Sequence, residues 1–416
     1  MRELNQGSFL TKHISNKAPL IIKGIMHSIK LNFLLMKKRD FSLILAISLL
    51  LLLMSCQFLP LGWAQYNYDG IKKDFTAREM VGLGKDIWIR AFTYNGDIEI
   101  PLLFRFTPQT QTLKAYAVEF VDGTAVPQQL YITKKGELWG AGILYNSPDY
   151  MNRLSTNCQL NPNQWLLTHY DKEKDRFLVI EDKDKILQGC RVLSITEDGR
   201  GDLWLNVVTH GDNHTFRYDP LTNEAVEIDL IKKIDVTTPI NEIENIIGGP
   251  DGALWISVIR SGEKSPQKAS TILRYDPVTE RINDYGCPSS GCMSTALLFD
   301  SFGHLWISSV AWLDWNIDKP LWHEGPRDLF MAKIEPDWQP DFMEPSQIFQ
   351  SSDGRIWFTL RYQNGLVVFD FQDNTWKKIL FNGKKTIYDI FSSITESNGY
   401  IWIVQQGNFI RKKVGQ

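Results

Sequence analysis

The sequence predicts an all-β fold, a seven-bladed β-propeller built from four-stranded antiparallel blades. Three observations predict it. A tryptophan preceded by Leu or Ile recurs at Trp88, Trp139, Trp204, Trp255, Trp306, Trp357 and Trp402. The intervals are 51, 65, 51, 51, 51 and 45 residues, the length of a propeller blade. A glycine stands three residues before six of these tryptophans (Gly136, Gly201, Gly252, Gly303, Gly354 and Gly399), and Gly84 stands one step further from the first. Downstream, Arg217-Tyr218-Asp219-Pro220 and Arg274-Tyr275-Asp276-Pro277 are near copies of each other.

Each unit divides into strands A to D. Asp251-Gly252, Asp353-Gly354 and Asn398-Gly399 are tight-turn pairs, because residues in such turns must accept positive φ. Apolar runs flank them, such as Ile243–Ile247 before and Leu254–Ile259 after. This reads as strand A, turn, strand B. The Arg-Tyr-Asp-Pro copies end strand C, with Ile334-Glu335-Pro336-Asp337 and Val368-Phe369-Asp370 in the same slot, and a short run such as Arg281–Tyr285 forms strand D. One blade cannot cover its own faces, so the seven tryptophans are expected between blades, as core. The last unit supplies A and B around Trp402 and then C at Phe409–Val414. Its fourth strand is expected from the other end of the propeller, around Tyr66–Phe75, which would hide the edges of an open sheet.

The first 56 residues carry eight basic and two acidic side chains, against 37 and 46 in the rest of the 416-residue chain. Met36-Lys37-Lys38-Arg39 precedes the uncharged run Phe41–Met54, the pattern of an export signal. Residues 1–35 are then a leader or a mis-assigned start, 36–56 the signal, 57–65 a short tether and 66–416 one propeller domain. Leu53-Met54-Ser55-Cys56 resembles the lipobox of bacterial lipoproteins, in which the cysteine is lipidated. Cleavage after Ala64 and retention of Phe41–Tyr68 as a membrane anchor are the alternatives. All three place the body outside the cytoplasm, in a bacterial cell envelope, on its periplasmic or extracellular face. The acidic body has no basic run and excludes a nucleic-acid partner.

The Gly-x-Leu-Trp hairpin with Arg-Tyr-Asp-Pro resembles the two-component-regulator propeller repeat and the related streptogramin lyase propeller, from about Tyr66 to Val414. The resemblance implies the fold more strongly than an activity. In the lyases the Trp strand continues as Trp-Phe-Thr-Glu, and paired His and Glu residues hold magnesium. Here Trp357-Phe358-Thr359 is followed by Leu360, and no Glu-x-His string occurs. The lyase residues therefore do not carry over.

Two B–C connections are expected to be long, and long loops in compact folds tend to be functional. In blade 2, Ala141–Leu166 holds Tyr145, Asp149, Tyr150, Arg153 and Cys158. In blade 5, Val310–Leu329 holds Trp312, Asp314, Trp315, Trp322, His323, Glu324 and Arg327. Aromatic platforms beside carboxylates and Arg suit a sugar ring or a protein surface; the alternative is that these loops bury their tryptophans on their own blade. His210, Asp212 and His214 sit at a B–C turn in blade 3, where they could hold a metal or form a solvated turn. Gln128, Arg191, Asn241, Glu242 and Glu344 are candidates for the axial mouth. Cys287 and Cys292 could close a small loop by a disulfide in an oxidising compartment, and Cys158 with Cys190 another; the alternative is free buried thiols.

The function expected is a non-enzymatic binding module, exported and held by a lipid or signal anchor, that recognises a glycan, peptide or envelope protein on its long-loop face. It needs no cofactor and is expected to be a monomer. The alternative is a lyase or lactonase of streptogramin-lyase type that uses Mg²⁺ or Ca²⁺. A third reading is an assembly factor at the envelope.

Overall fold

Seven antiparallel four-stranded blades follow one another along the chain, and the sheets of the first two carry a fifth strand, Asp69–Gly70 and Val118–Phe120. The computed structural model describes residues 63–66, 69–70, 75–95, 98–120, 123–145, 167–184, 186–187, 191–209, 212–234, 240–260, 270–289, 296–332, 341–342, 345, 347–360, 365–381, 393–405 and 408–415. All lie in the compact unit Leu59–Gln416. Blade 1 has strands A to D at Thr76–Leu83, Asp86–Asn95, Ile98–Thr107 and Thr112–Tyr116. Blade 2 has Gly123–Ile132, Leu138–Tyr145, Leu167–Asp171 and Arg176–Val179. Blade 3 has Arg191–Glu197, Leu203–Thr209, Asp212–Asp219 and Glu224–Ile228. Blade 4 has Ile240–Gly248, Leu254–Arg260, Ser270–Tyr275 and Ile282–Asp284. Blade 5 has Leu297–Phe299, Leu305–Ile307, Ala311–Asp314 and Leu321–Glu324. Blade 6 has Ile348–Gln350, Ile356–Thr359, Gly365–Asp370 and Thr375–Leu380. Blade 7 takes A to C from Ile394–Ser397, Tyr400–Gln405 and Asn408–Lys413.

Strand D of blade 7 comes from Trp63–Tyr66, paired antiparallel with strand C from Trp63↔Lys412 to Tyr66↔Phe409. The ring thus closes as expected, but with a strand that lies just ahead of the Tyr66–Phe75 span. Asp69–Gly70 instead adds in parallel to strand D of blade 1. Helix is confined to Leu230–Ile234, between blades 3 and 4, and a 3-10 turn at Arg327–Phe330 among the described residues. No described helix is long and apolar enough to cross a membrane.

All seven repeat tryptophans are buried, each against the next blade. Trp88 packs with Leu138, Tyr170 and Phe177 of blade 2, and Trp139 with Leu203, Val207 and Tyr218 of blade 3. The series continues through Trp204, Trp255, Trp306 and Trp357 to Trp402, which meets Ile89 and Phe106 of blade 1. The strand-C aromatic is the receiving partner. Tyr170 lies 4.6 Å from Trp88, Tyr218 6.0 Å from Trp139, Tyr275 6.2 Å from Trp204, and Phe369 5.6 Å from Trp306. The aromatic of Arg-Tyr-Asp-Pro is therefore the second half of the tryptophan repeat, one blade on.

The turns differ partly from expectation. Asn398 and Gly399 both have positive φ (55° and 71°), the two-residue turn that Asn-Gly predicts. Asp251 and Asp353 do not; there only Gly252 and Gly354 do, at 83° and 87°. These A–B connections are five residues wide: Gly249 N–H donates to Ala253 O (2.7 Å) and Gly252 N–H to Gly249 O (3.1 Å). The C–D turns repeat an Asx turn. Asp171, Asp219, Asp276 and Asp370 each accept, through Oδ1, the backbone N–H two residues on, and their pKa values lie below the ordinary value, held down by hydrogen bonds that favour the charged form.

Inner strands are stitched by side chains that accept the next blade's backbone N–H groups. Glu79 Oε2 takes Leu130 N (2.9 Å), Gln128 Oε1 takes Val192 N (2.8 Å), Ser194 Oγ takes Ile246 N (3.3 Å), and Gln347 Oε1 takes Ile394 N (2.7 Å). Gln128 is thus buried between strands rather than free at the axial mouth. Burial pushes the Glu79 carboxyl above its ordinary pKa, against the pull of Arg90, whose Nε lies 3.2 Å away.

Candidate functional site

Blade 5 holds most of the residues singled out by sequence, and the structure places them differently. Val310, at φ 63°, closes a tight B–C turn. Trp312 and Asp314 then lie on strand C, and Trp322, His323 and Glu324 on strand D. The segment read as a long B–C loop is the blade's own outer hairpin. The reason is its alternation: in Ala311-Trp312-Leu313-Asp314, Ala311 and Leu313 are buried and face inward, as a sheet requires. Its C–D turn lies on the same side as the A–B turns, opposite the B–C connections. Ile334–Asp337, assigned to this strand-C slot, lies outside the described residues.

Asp300 organises the A–B turn. Its Oδ1 accepts the backbone N–H groups of Phe302 and His304, both at 2.9 Å, and its Oδ2 accepts Trp306 Nε1–H at 2.8 Å. His304 Nδ1 also lies 2.8 Å from Oδ2. Asp198 does the same for Trp204 in blade 3, with Nε1 at 3.0 Å, and Ser351 Oγ for Trp357, at 2.9 Å. These residues stand six before the Trp, a spacing visible in the sequence but not singled out.

A short relay continues outward from Asp300. His304 Nε2 lies 3.1 Å from Asp314 Oδ1, without hydrogen-bond alignment, so Oδ1 is buried with no hydrogen bond. Asp314 Oδ2 is 2.8 Å from His323 Nε2. Trp312 is sandwiched: His323 stacks on one ring contact (4.9 Å, 10°) and Trp306 on another (4.7 Å, 23°). His304 stacks on Phe371 of blade 6 (5.6 Å, 25°). Phe302, 65% exposed, meets the edge of Phe371. The arrangement pairs each imidazole with a carboxylate, His304 with Asp300 and His323 with Asp314, and through His304 and Phe302 on Phe371 it ties blade 5 to blade 6.

Trp315 and Trp322 turn the other way, toward blade 4. Trp315 Nε1–H donates to Gly303 O (2.7 Å) and Trp322 Nε1–H to Tyr285 O (3.0 Å). Glu324 Oε1 accepts Ser289 N–H at 2.8 Å. Arg327 opens the 3-10 turn. In blade 3, His214 lies on strand C, its Nδ1 2.6 Å from Glu227 Oε1 of strand D, and Asp212 starts strand C. His210, Tyr150, Arg153, Cys56, Cys158, Cys190 and Cys292 lie outside the described residues, as do Glu344 and the side chains of Tyr145, Arg191 and Asn241. Cys287 is disulfide-bonded; its expected pairing with Cys292 rests on the sequence. Among the described residues no three His, Cys, Asp or Glu side chains form a group that could hold a metal ion.

A second feature, absent from the sequence reading, lies on the A–B/C–D side of blades 1 and 2. A cleft of about 370 Å³ is lined by Leu83, Lys135, Glu137, His169, Asp171 and Lys172, among others. His169 stacks on Trp139 at 4.6 Å. Its burial holds its pKa below the ordinary value, against the pull of Glu137 and Asp171. Nearby, Asp175 gathers Arg105 Nη1 (2.8 Å), Tyr116 Oη (2.7 Å) and Tyr170 Oη (2.5 Å), a clamp between blades 1 and 2.

No protein-family model and no curated protein sequence matches the chain. Solved structures do. A catalytically inactive virginiamycin B lyase from Staphylococcus aureus, determined with quinupristin, superposes with a TM-score of 0.54 at 13% identity, over 85% of this chain and 99% of that one. The WD40 repeats of RRP9 give 0.52 at 8% identity, over 85% and 98%. The extracellular domain of a putative hybrid two-component system from B. thetaiotaomicron gives 0.49 at 15%, over 85% and 42%. At these identities the likeness is one of fold: the protein is a seven-bladed β-propeller.

Proposed function

We propose that this propeller is an exported binding module, held at the bacterial envelope by a lipid on Cys56 or by its apolar signal segment. It acts as a monomer and recognises a glycan, peptide or envelope protein on the face formed by its B–C and D–A connections. One observation carries this. The described A–B and C–D connections are short and nearly uniform, whereas the opposite face varies widely, from residues 210–211 in blade 3 to 146–166 in blade 2. A face free to vary on a rigid ring is where specificity accumulates. In sequence the blade-2 connection carries Tyr150 and Arg153 and follows Tyr145, residue types suited to a sugar or peptide.

Binding of the purified chain to glycan and peptide arrays tests it. Tyr150→Ala and Arg153→Ala should each weaken capture about tenfold or more without changing the melting temperature; array binding that ignores both would remove blade 2 from the site. The second reading is a metal-dependent lyase or lactonase, favoured by the fold shared with virginiamycin B lyase. Incubation with quinupristin and Mg²⁺ or Ca²⁺ decides between them. Lactone opening, seen as a new chromatographic species of unchanged mass for elimination or with one added water for hydrolysis, would establish the enzyme. Unreacted quinupristin together with array binding would establish the module.

A further inference from the structure

The cleft of about 370 Å³ on the A–B/C–D side of blades 1 and 2 has the size of a small-molecule site. Its walls follow from the register of blade 2. His169 on strand C pairs with Trp139 on strand B, and Asp171, two residues on, shares the face of His169. Glu137 leads into strand B from the A–B turn. Leu138 and Tyr170 belong to the opposite face of the sheet, so the cleft wraps the end of the blade, and Leu83 of blade 1 joins its wall.

Of the four described histidines, three pair with a carboxylate: His214 with Glu227, His304 with Asp300 and His323 with Asp314. His169 makes no hydrogen bond among the described residues. It is half-buried, and burial lowers its pKa against the pull of Glu137 and Asp171. At neutral pH it is an uncharged ring with one nitrogen free to accept. An unpartnered imidazole of this kind in a cleft is placed to bond a ligand.

Four other lining side chains are charged: Lys135 and Glu137 at the A–B turn, Asp171 and Lys172 at the C–D turn. Asp171 is committed to its own turn. Its Oδ1 accepts the N–H groups of Glu173 and Lys174, both at 3.0 Å, and its Oδ2 lies 2.9 Å from Lys174 Nζ. Lys135, Lys172 and Glu137 are exposed and form no ion pair among the described residues. The uncommitted charges are therefore of both signs, two ammonium groups and one carboxylate. Leu83, Leu138 and Leu178 supply apolar wall between them. A ligand that meets all of these carries a carboxylate, an ammonium and an apolar body. A sugar fits less well, since it favours an open aromatic face. Here Tyr170 is buried with its hydroxyl donating to Asp175, and His169 stacks on Trp139.

We propose that this cleft binds a small zwitterion with an apolar side chain, an aliphatic amino acid or dipeptide. Its carboxylate lies toward Lys135 and Lys172, its ammonium toward Glu137 and His169, and its side chain against the three leucines. The site is separate from the B–C/D–A face and does not rest on the function proposed for that face.

Calorimetric titration of the full chain with L-leucine and L-leucyl-L-leucine tests it. At least one should bind at concentrations up to about 10 mM. Isocaproate, which lacks the ammonium, and isoamylamine, which lacks the carboxylate, should each bind about tenfold more weakly. Glu137→Gln and Lys172→Gln, both at exposed positions, should each weaken binding about tenfold without moving the melting temperature, and His169→Leu should weaken it as much. Tyr150→Ala, on the other face, should leave it unchanged. Absence of binding by both probes, or binding that ignores Glu137 and Lys172, overturns the site. Tighter binding of glucuronate than of either probe overturns the zwitterion in favour of an acidic sugar. Blank glycan and peptide arrays would count against the B–C/D–A face alone, because neither array outcome enters this titration.

Discussion

At the scale of single residues, one carboxylate carries more of blade 5 than any aromatic singled out by sequence. Asp300 is fully buried and accepts two backbone N–H groups and an indole N–H. Removing it strands those donors, each costly when buried. Asp300→Ala should lower stability by about 2–4 kcal/mol, seen as a lower denaturation midpoint, with Asp373→Ala, on an exposed turn, near zero. His169 gives a pH signature. Its folded pKa lies below the ordinary value of 6.5 because burial disfavours the imidazolium. The unfolded state therefore binds the proton more readily, and the stability contributed is present above pH 6.5 and lost as pH falls through the folded value. Melting temperatures compared at about pH 7.5 and about pH 5.5 should differ less in His169→Gln than in the parent; equal differences would assign the acid sensitivity elsewhere.

At the scale of the element, the close approach of blades decides which glycines are replaceable. A Cβ on Gly248, at the end of strand A of blade 4, would meet Glu197 O at 1.9 Å, and one on Gly82 would meet Glu396 O at 2.3 Å. Both contacts are with backbone of the preceding blade in the ring and cannot be relieved by a rotamer change. Gly248→Ala should cost about 1–3 kcal/mol, whereas the equivalent change at Gly354 acts through its positive φ alone, with open space around it. Comparing their urea midpoints separates packing from turn strain. The strand order of six blades was legible from the tryptophan period and the turn residues. Blade 5 was not, because its strand C is only four residues long and lacks the Arg-Tyr-Asp signature. A segment rich in tryptophan then resembles a binding loop as much as a hairpin.

At the scale of the whole molecule, the ring is closed by four residues. Trp63–Tyr66 covers the edge of strand C in blade 7, and an uncovered edge of that kind pairs with other chains. A chain beginning at Asn67 should melt at a lower temperature and scatter light on warming, while one beginning at Leu59 should behave as the full chain does. Equal behaviour of the two would mean that closure rests on the Trp402–Phe106 contact between blades 7 and 1, at 5.5 Å, and not on the shared sheet.

The sequence by itself determined the architecture: a period near 51 residues, a glycine before each tryptophan and an aromatic at the end of strand C leave few folds other than a ring of blades. Those signals are local or strictly periodic, and each acts through a neighbour one strand or one blade away. Only the tertiary structure decided which side of the ring each residue occupies, that Trp315 and Trp322 of blade 5 donate their indole N–H groups to Gly303 O and Tyr285 O, and that the strand closing blade 7 begins on the side opposite the B–C connections. Such facts depend on the direction in which each strand crosses the blade, and alternation along a strand is the same for either direction.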